Sequence, residues 1–396
     1  MKPQKANTDG RVYLDFAATT PLDEAALEAM LPFLGERFGN ASALYSEGRE
    51  ARDAVNAARR SIAASLGCRD PFDITFTSGG TESDNTAIAG ISLAARAKMK
   101  SSAGPGHIIC SAFEHHAVLN AVARMRSLGF EVSHVCPRAD GIVHPEDVEA
   151  LMRPDTVLVS VMAANNEIGT IQPISRIADA VHAHGSWLHT DAVGAIGKTG
   201  FSIEECGADS VSIASHKVYG PKGVGALYLS KQVPFEPLIH GGGQEKGRRS
   251  GTYDTASIVG FAKALELNAA LGLDERLEAI MACRDRLLDA VAEMRRVESV
   301  LPIKQGNREL NLASFVPLLV DGMESEDLVR ILDSKGFAIS GGSACTSGSG
   351  QTSHVLASIG ISPDRASGFI RITLGKGIGF TEIDRFAQAL REVTER

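Results

Sequence analysis

Between residues 73 and 230 the chain alternates short apolar or β-branched runs with helical stretches, and this alternation constrains its fold more than any other feature. Residues 73–76, 107–110, 131–135, 156–162, 186–189, 211–214 and 226–229 read as strands. Residues 82–93, 115–128 and the stretch after Pro173 carry the spacing of helices. Strands joined by helices make right-handed crossovers, which predicts an α/β fold with a mainly parallel sheet covered on both faces. Ligands of such sheets bind beyond the carboxyl ends of the strands. Polar groups cluster there: Gly80-Thr81, Asn165-Asn166, Asp191 and His216-Lys217.

After residue 256 the texture changes. A long helical stretch over 256–294 is followed by a strand at 310–315, a helix at 324–335, a short strand at 338–339 and a strand at 370–374, the mixture of an α+β domain. At 396 residues the chain is too long for one ordinary core. The reading is a large domain over 21–265, a smaller C-terminal domain over 266–396, and an N-terminal segment, 1–20, packing with the smaller domain. The net charge of −8 argues against a dedicated nucleic-acid surface. No apolar run approaches the roughly 18 residues of a membrane helix, and residues 1–10 lack the apolar core of a signal peptide. A cytoplasmic location is expected. The six cysteines are scattered, without a CxxC pair or metal-finger spacing, so neither a disulfide framework nor a metal site is expected.

Four local patterns carry chemistry. The first is Ser215-His216-Lys217-Val218-Tyr219-Gly220-Pro221-Lys222-Gly223, where a lysine ends a strand before a Gly-Pro turn. That setting suits Schiff-base formation, and no other lysine has a comparable one; alone, such a pair is far more often solvated surface. The second is Asp191, closing an otherwise apolar strand: it either pairs with a cationic ring nitrogen or caps a helix. The third is Ser78-Gly79-Gly80-Thr81-Glu82-Ser83, a strand, a glycine turn and a helix start, which offers free N–H groups to an anion. The fourth is Cys345, set among small polar residues from Ser340 to Gly350, a context for an exposed loop thiol rather than a core cysteine.

Together with Glu114-His115, Asn165–Gly169, His189–Asp191, Arg249–Thr252 and Arg371, these patterns resemble the cysteine desulfurases, fold type I pyridoxal-phosphate enzymes of the class V aminotransferase type. The likeness runs in order from Tyr13 to Arg371, and Ala344-Cys345-Thr346-Ser347 resembles the subgroup serving iron–sulfur cluster assembly. The resemblance implies a large domain with a mainly parallel sheet and a smaller α+β domain. It implies that Lys217 forms the Schiff base with pyridoxal 5'-phosphate, Asp191 pairs with its ring nitrogen, and His115 stacks on the ring and helps move protons. Gly80, Thr81 and His216 would hold the phosphate, with Ser215 as a stand-in ligand, and Asn166 would contact cofactor or substrate. Arg371 would clamp the substrate carboxylate. Thr252 would reach the phosphate of a second subunit, implying a homodimer. Cys345 would take sulfur from L-cysteine as a persulfide, leaving alanine, and pass it to an acceptor protein. No membrane or direct nucleic-acid partner is implied.

The chain departs from the family pattern at two positions. Relatives usually carry glutamine, facing the cofactor's phenolic oxygen, where this chain has Gly194, and serine where it has Ala214. Rival readings are a selenocysteine lyase or another lyase of the same fold releasing its product directly, and, from another class, a weakly catalytic scaffold that only binds proteins. A cysteine-bearing loop favours the desulfurase; absorbance of a retained cofactor argues against the scaffold.

Overall fold

The structure, a computed structural model, describes residues 10–99, 104–270, 272–301, 309–341 and 353–395. Its twelve described strands are β1 (Val12–Tyr13), β2 (Ile74–Thr77), β3 (His107–Ser111), β4 (Glu131–Val135), β5 (Thr156–Ser160), β6 (Trp187–Asp191), β7 (Ser210–Ala214), β8 (Gly225–Leu229), β9 (Val297–Ser299), β10 (Phe315–Val320), β11 (Phe337–Ala338) and β12 (Phe369–Thr373). Seven of them form one sheet in the order β2-β8-β7-β6-β5-β3-β4. Within it β8 is antiparallel to both its neighbours, β2 and β7, and so runs against the other six strands. The reversal follows from chain length: residues 215–224 between β7 and β8 are too few for the crossover that a parallel partner needs. β3, β5 and β7 are buried from end to end, as strands covered on both faces must be. β4, at the edge, is partly exposed.

The first four α-helices along the chain are α1 (Glu24–Leu34), α2 (Ser46–Ser65), α3 (Gly80–Lys98) and α4 (His116–Ser127). The core around the large sheet includes Ile109, Val159, Leu188, Val211 and Phe261. A separate core gathers Val12, Leu14, Leu287, Val316, Phe337 and Phe386. It lies on the antiparallel sheet β12-β10-β9, and β1 pairs in parallel with β11, so the N-terminal strand is bonded to C-terminal residues. Among the described residues no single helix is long and apolar enough to cross a membrane.

Two expectations need correction. The stretch 310–315 is not a strand. Its backbone braces the loop after β5 instead, with Ile171 N–H donating to Leu310 O at 2.9 Å and Leu312 N–H to Gly169 O at 2.8 Å; the strand begins at Phe315. The long helical stretch is two helices, Thr255–Ala270 and Leu273–Ala292, and Gly272 takes φ +65° at the second one's start.

Candidate active site

The carboxyl ends of β5, β6 and β7 and the start of α3 surround a cavity of about 280 Å³. Beyond Ala214 the chain makes a 3₁₀ turn, Ser215–Lys217, which turns Lys217 into that cavity. The turn closes through Gly220 N–H to Ser215 O at 3.1 Å, and Gly220 is required there because a Cβ would lie 2.0 Å from Ser215 Oγ. Lys217 Nζ donates to the carbonyls of Ala17 and Ala18, so the N-terminal segment forms part of the site. His216 lines the same wall and pairs its Nδ1 with Thr19 Oγ1 at 3.1 Å. Burial, then the charge of Lys217, pushes its pKa down to about 4, so it is neutral near pH 7.

Asp191 ends β6 and faces the cavity. Its Oδ1 accepts Val193 N–H at 2.9 Å, which closes a turn rather than capping a helix. Burial raises its pKa, while His115 and Lys217 oppose the rise. His115 is the N-cap of α4, its Nδ1 accepting Ala117 N–H at 3.1 Å. That bond places the ring proton of the neutral imidazole on Nε2. Burial keeps the imidazole below its usual pKa.

α3 supplies the anion site. Gly79, at φ +149°, takes a conformation that side chains disfavour, and the helix begins at Gly80 and Thr81, both lining the cavity. First-turn N–H groups have no intrahelical acceptor and lie at the positive end of the helix dipole.

Arg371 is carried by β12 and is almost fully buried, not a surface arginine. Nη2 donates to Asp15 Oδ1 and Nη1 to Asn166 O, each at 2.7 Å. Its Nε is buried without a partner. Asn165 shapes the loop that presents Asn166: its Oδ1 accepts Glu167 N–H at 2.8 Å and Ile168 N–H at 3.0 Å.

Two expected site residues, Ser215 and Thr252, are not brought into this cavity. Ser215 is fully buried and does not line it, because it faces Gly220 while Ala214 and His216 on either side face inward; it does not stand in for the serine missing at Ala214. Thr252 lines a separate hollow with Arg249 and Gly251. Cys345 lies outside the described residues. The residues that flank the segment bearing it do touch the site. Ser340 pairs with Arg371 through both backbone groups, at 2.7 and 3.2 Å. His354 Nε2 meets Glu114 O at 2.9 Å, and Ser353 Oγ donates to Glu167 Oε2 at 2.5 Å.

Two residues of the site, Asp84 and Lys198, escaped the sequence reading, and a third, Glu114, was named there without a role. Asp84, one helical turn after Thr81, lines the cavity; its Oδ1 has no hydrogen bond and lies 3.6 Å from His189 Nε2. Burial and then the charge of Asp191 raise its pKa well above the carboxylate range. The i, i+3 spacing from Thr81 was the available signal. Glu114 accepts Ser111 Oγ–H and Met162 N–H behind His115, and burial pushes its pKa up to about 8. Lys198 is a second lysine of the cavity, contrary to the expectation that Lys217 has no rival, and its sequence, Gly197-Lys198-Thr199-Gly200, looks like ordinary surface loop.

A helix N-terminus, an aspartate and a lysine thus converge on one crevice at the strand ends. Residues 12–386 match the family model described as aminotransferase class-V. The chain belongs to that family. A cysteine desulfurase IscS of Dictyoglomus turgidum is 43% identical over 385 residues, 97% of this chain and 95% of the relative. Among solved structures, a NifS-like protein superposes with a TM-score of 0.88 at 35% identity, covering 97% of this chain and 99% of the other. A structure described as SspA in complex with cysteine gives a TM-score of 0.77 at 34% identity, covering 91% and 98%.

The class-V donor set fits pyridoxal phosphate chemically. It offers N–H groups for a dianion, a carboxylate for a ring nitrogen and an amine for a carbonyl carbon. The unpartnered Arg371 Nε and Asp84 Oδ1, both buried, are the orphans that a polar ligand of this cavity would answer.

Proposed function

We propose that this chain is a pyridoxal-phosphate-dependent cysteine desulfurase that converts L-cysteine to L-alanine and moves the sulfur onto Cys345. The convergence of Lys217, Asp191, His115, Arg371 and the start of α3 on one cavity carries the reading. When bound, the cofactor supplies an electron-withdrawing ring that stabilises negative charge on the substrate's α-carbon.

The residues divide the remaining work. Gly80 and Thr81 N–H groups and His216 would hold the phosphate. Asp191 would pair with the ring nitrogen, and Asp84 lies beside it, its pKa raised by burial and then by the charge of Asp191. Arg371, fixed by Asp15, binds the substrate carboxylate, and Asn166 borders it. Lys217 Nζ would take the α-proton, and the His115 imidazole, lining the same cavity, would be a further proton carrier. The Cys345 thiolate attacks the substrate sulfur: the carbon–sulfur bond breaks, a sulfur–sulfur bond forms, and proton return to carbon leaves alanine. The persulfide then passes to an acceptor protein, in keeping with iron–sulfur cluster assembly.

The working unit in this reading is a homodimer. Thr252 lies outside its own chain's cavity and is free to serve the partner's, and Leu27, Leu31 and Leu34 of α1, with Phe38, Leu44 and Tyr45, leave an apolar surface exposed. The domain division at 265/266 and a reducing cytoplasmic setting belong to the same reading; the five described cysteines are free thiols.

Incubation of the loaded protein with L-cysteine, without reductant, tests it. Alanine and protein-bound persulfide should form in equal amounts. Free sulfide formed with no protein persulfide would overturn the assignment in favour of a direct-release lyase.

A further inference from the structure

Lys198 is the group in this cavity that the mechanism does not use. It lines the main cavity and, with Lys217, also lines a smaller void beside Tyr219 and Arg276. Its Nζ makes one hydrogen bond, to Gly194 O at 3.4 Å. An ammonium carries three donors, so an amine at this depth with one long bond is undersatisfied. Burial, then the charges of Lys217 and Arg371, pushes its pKa down to about 7. His216 adds no charge, because it is neutral there. Lys198 therefore stands among cations with no carboxylate bonded to it among its described hydrogen bonds, and an anionic oxygen is the partner it lacks.

Gly194 explains why the amine can reach the cavity. It has no side chain to cover Lys198, and a Cβ there would lie 2.8 Å from Ala164 O. The wall beside Gly194 thus offers no side-chain donor of its own.

Resting on the desulfurase reading, we propose that Lys198 is a positioning residue whose Nζ donates to the phenolic oxygen of bound pyridoxal phosphate. That oxygen is ortho to the carbon that joins Lys217, so it enters the cavity beside the two lysine amines. The substrate carboxylate, the other anionic oxygen available, already has Arg371. Entry of the phenolate supplies the countercharge that Lys198 lacks, and the lysine in turn holds the phenolate ionised.

The test uses full-length protein loaded with pyridoxal phosphate, comparing wild type with Lys198→Gln and Lys198→Arg. The readout is the pH dependence of the bound cofactor's absorbance without cysteine. Removing a cation from beside the phenolate should raise the midpoint by about one pH unit or more in Lys198→Gln, and Lys198→Arg should return it toward wild type. Affinity for L-alanine, which has the carboxylate but no sulfur, should change less than twofold, on the order of the scatter between neutral substitutions. An unchanged midpoint with alanine binding weakened tenfold would overturn the proposal and give Lys198 to the substrate carboxylate. An unchanged midpoint with unchanged alanine binding would overturn it outright. Failure of the wild type to hold the cofactor would instead sink the desulfurase reading, and is seen before any variant is made.

Discussion

Asp15, just after β1, and Arg371, in the middle of β12, form an ion pair at 2.7 Å, the arginine side chain 3% exposed. The pair ties the N-terminal segment to the strand expected to carry the substrate-binding group, and Arg371 meets Asn166 O with its other amino nitrogen. The guanidinium is thereby aimed before any substrate arrives, which removes an ordering cost from binding.

Asp15→Asn should loosen that aim without removing the arginine. KM for L-cysteine is expected to rise roughly tenfold, about 1.4 kcal/mol, with a smaller change in kcat. Steady-state kinetics at saturating cofactor check this. An unaltered KM would mean that Asn166 O and the burial of Arg371 suffice to hold it.

Lys217→Ala should abolish both covalent attachment of the cofactor and alanine formation. Lys198 makes the control informative, since it is a second amine in the same cavity. Borohydride reduction and peptide mapping should place the cofactor on Lys217 in the wild type and on no lysine in the variant. Label on Lys198 in the wild type would reverse the two roles.

Restoring a side chain at position 194 should cost stability. A Cβ at Gly194 meets the backbone carbonyl of Ala164 at 2.8 Å, and a carbonyl held by the loop after β5 cannot swing aside as a side-chain end could. Gly194→Gln should destabilise by about 1–3 kcal/mol in denaturant melts. Unchanged stability would show that the loop yields freely. Any change that the glutamine makes to the cofactor's titration has to be read against that displaced loop.

Glu114 gives a pH signature. Its pKa is raised from 4.5 to about 8 by burial, so the folded state holds a proton that the unfolded state has lost between those values. Stability from this group is present below about pH 4.5 and is lost as pH rises toward 8. Glu114→Gln keeps an oxygen to accept Met162 N–H and has no proton to lose. Its stability relative to wild type should therefore climb from pH 5 to pH 8 in parallel urea melts. A constant difference would place the ionised carboxylate in the folded protein.

The sequence made the strand ends legible because apolar strands stopping at Asp191 or before His216-Lys217 leave a pattern along the chain. Reversed β8 was not legible, because strand direction depends on the length of the connection and not on the composition of Gly225–Leu229. Residues 310–315 carry strand-like apolar spacing but spend their backbone on the loop at Gly169 and Ile171. Lys198 was missed for a related reason. Nothing in Gly197-Lys198-Thr199-Gly200 records that Gly194 leaves the wall open, or that Lys217 and Arg371 will stand beside it. Whether Ser215 could stand in for the serine missing at Ala214 was not legible, because alternation in facing decides between cavity and core.

Cys345→Ser, loaded with pyridoxal phosphate and mixed with L-cysteine, tests the central claim most directly. The substitution leaves Lys217, Asp191 and Arg371 unaltered, and serine is close to cysteine in size. A hydroxyl, with its far higher pKa, supplies no comparable nucleophile and cannot carry persulfide sulfur. The account predicts that cysteine still perturbs the cofactor's absorbance while alanine formation falls to roughly one hundredth or less of wild type, the scale on which loss of a nucleophile is felt. Alanine formed at the wild-type rate would contradict it, and the protein would then be a lyase that releases sulfur directly.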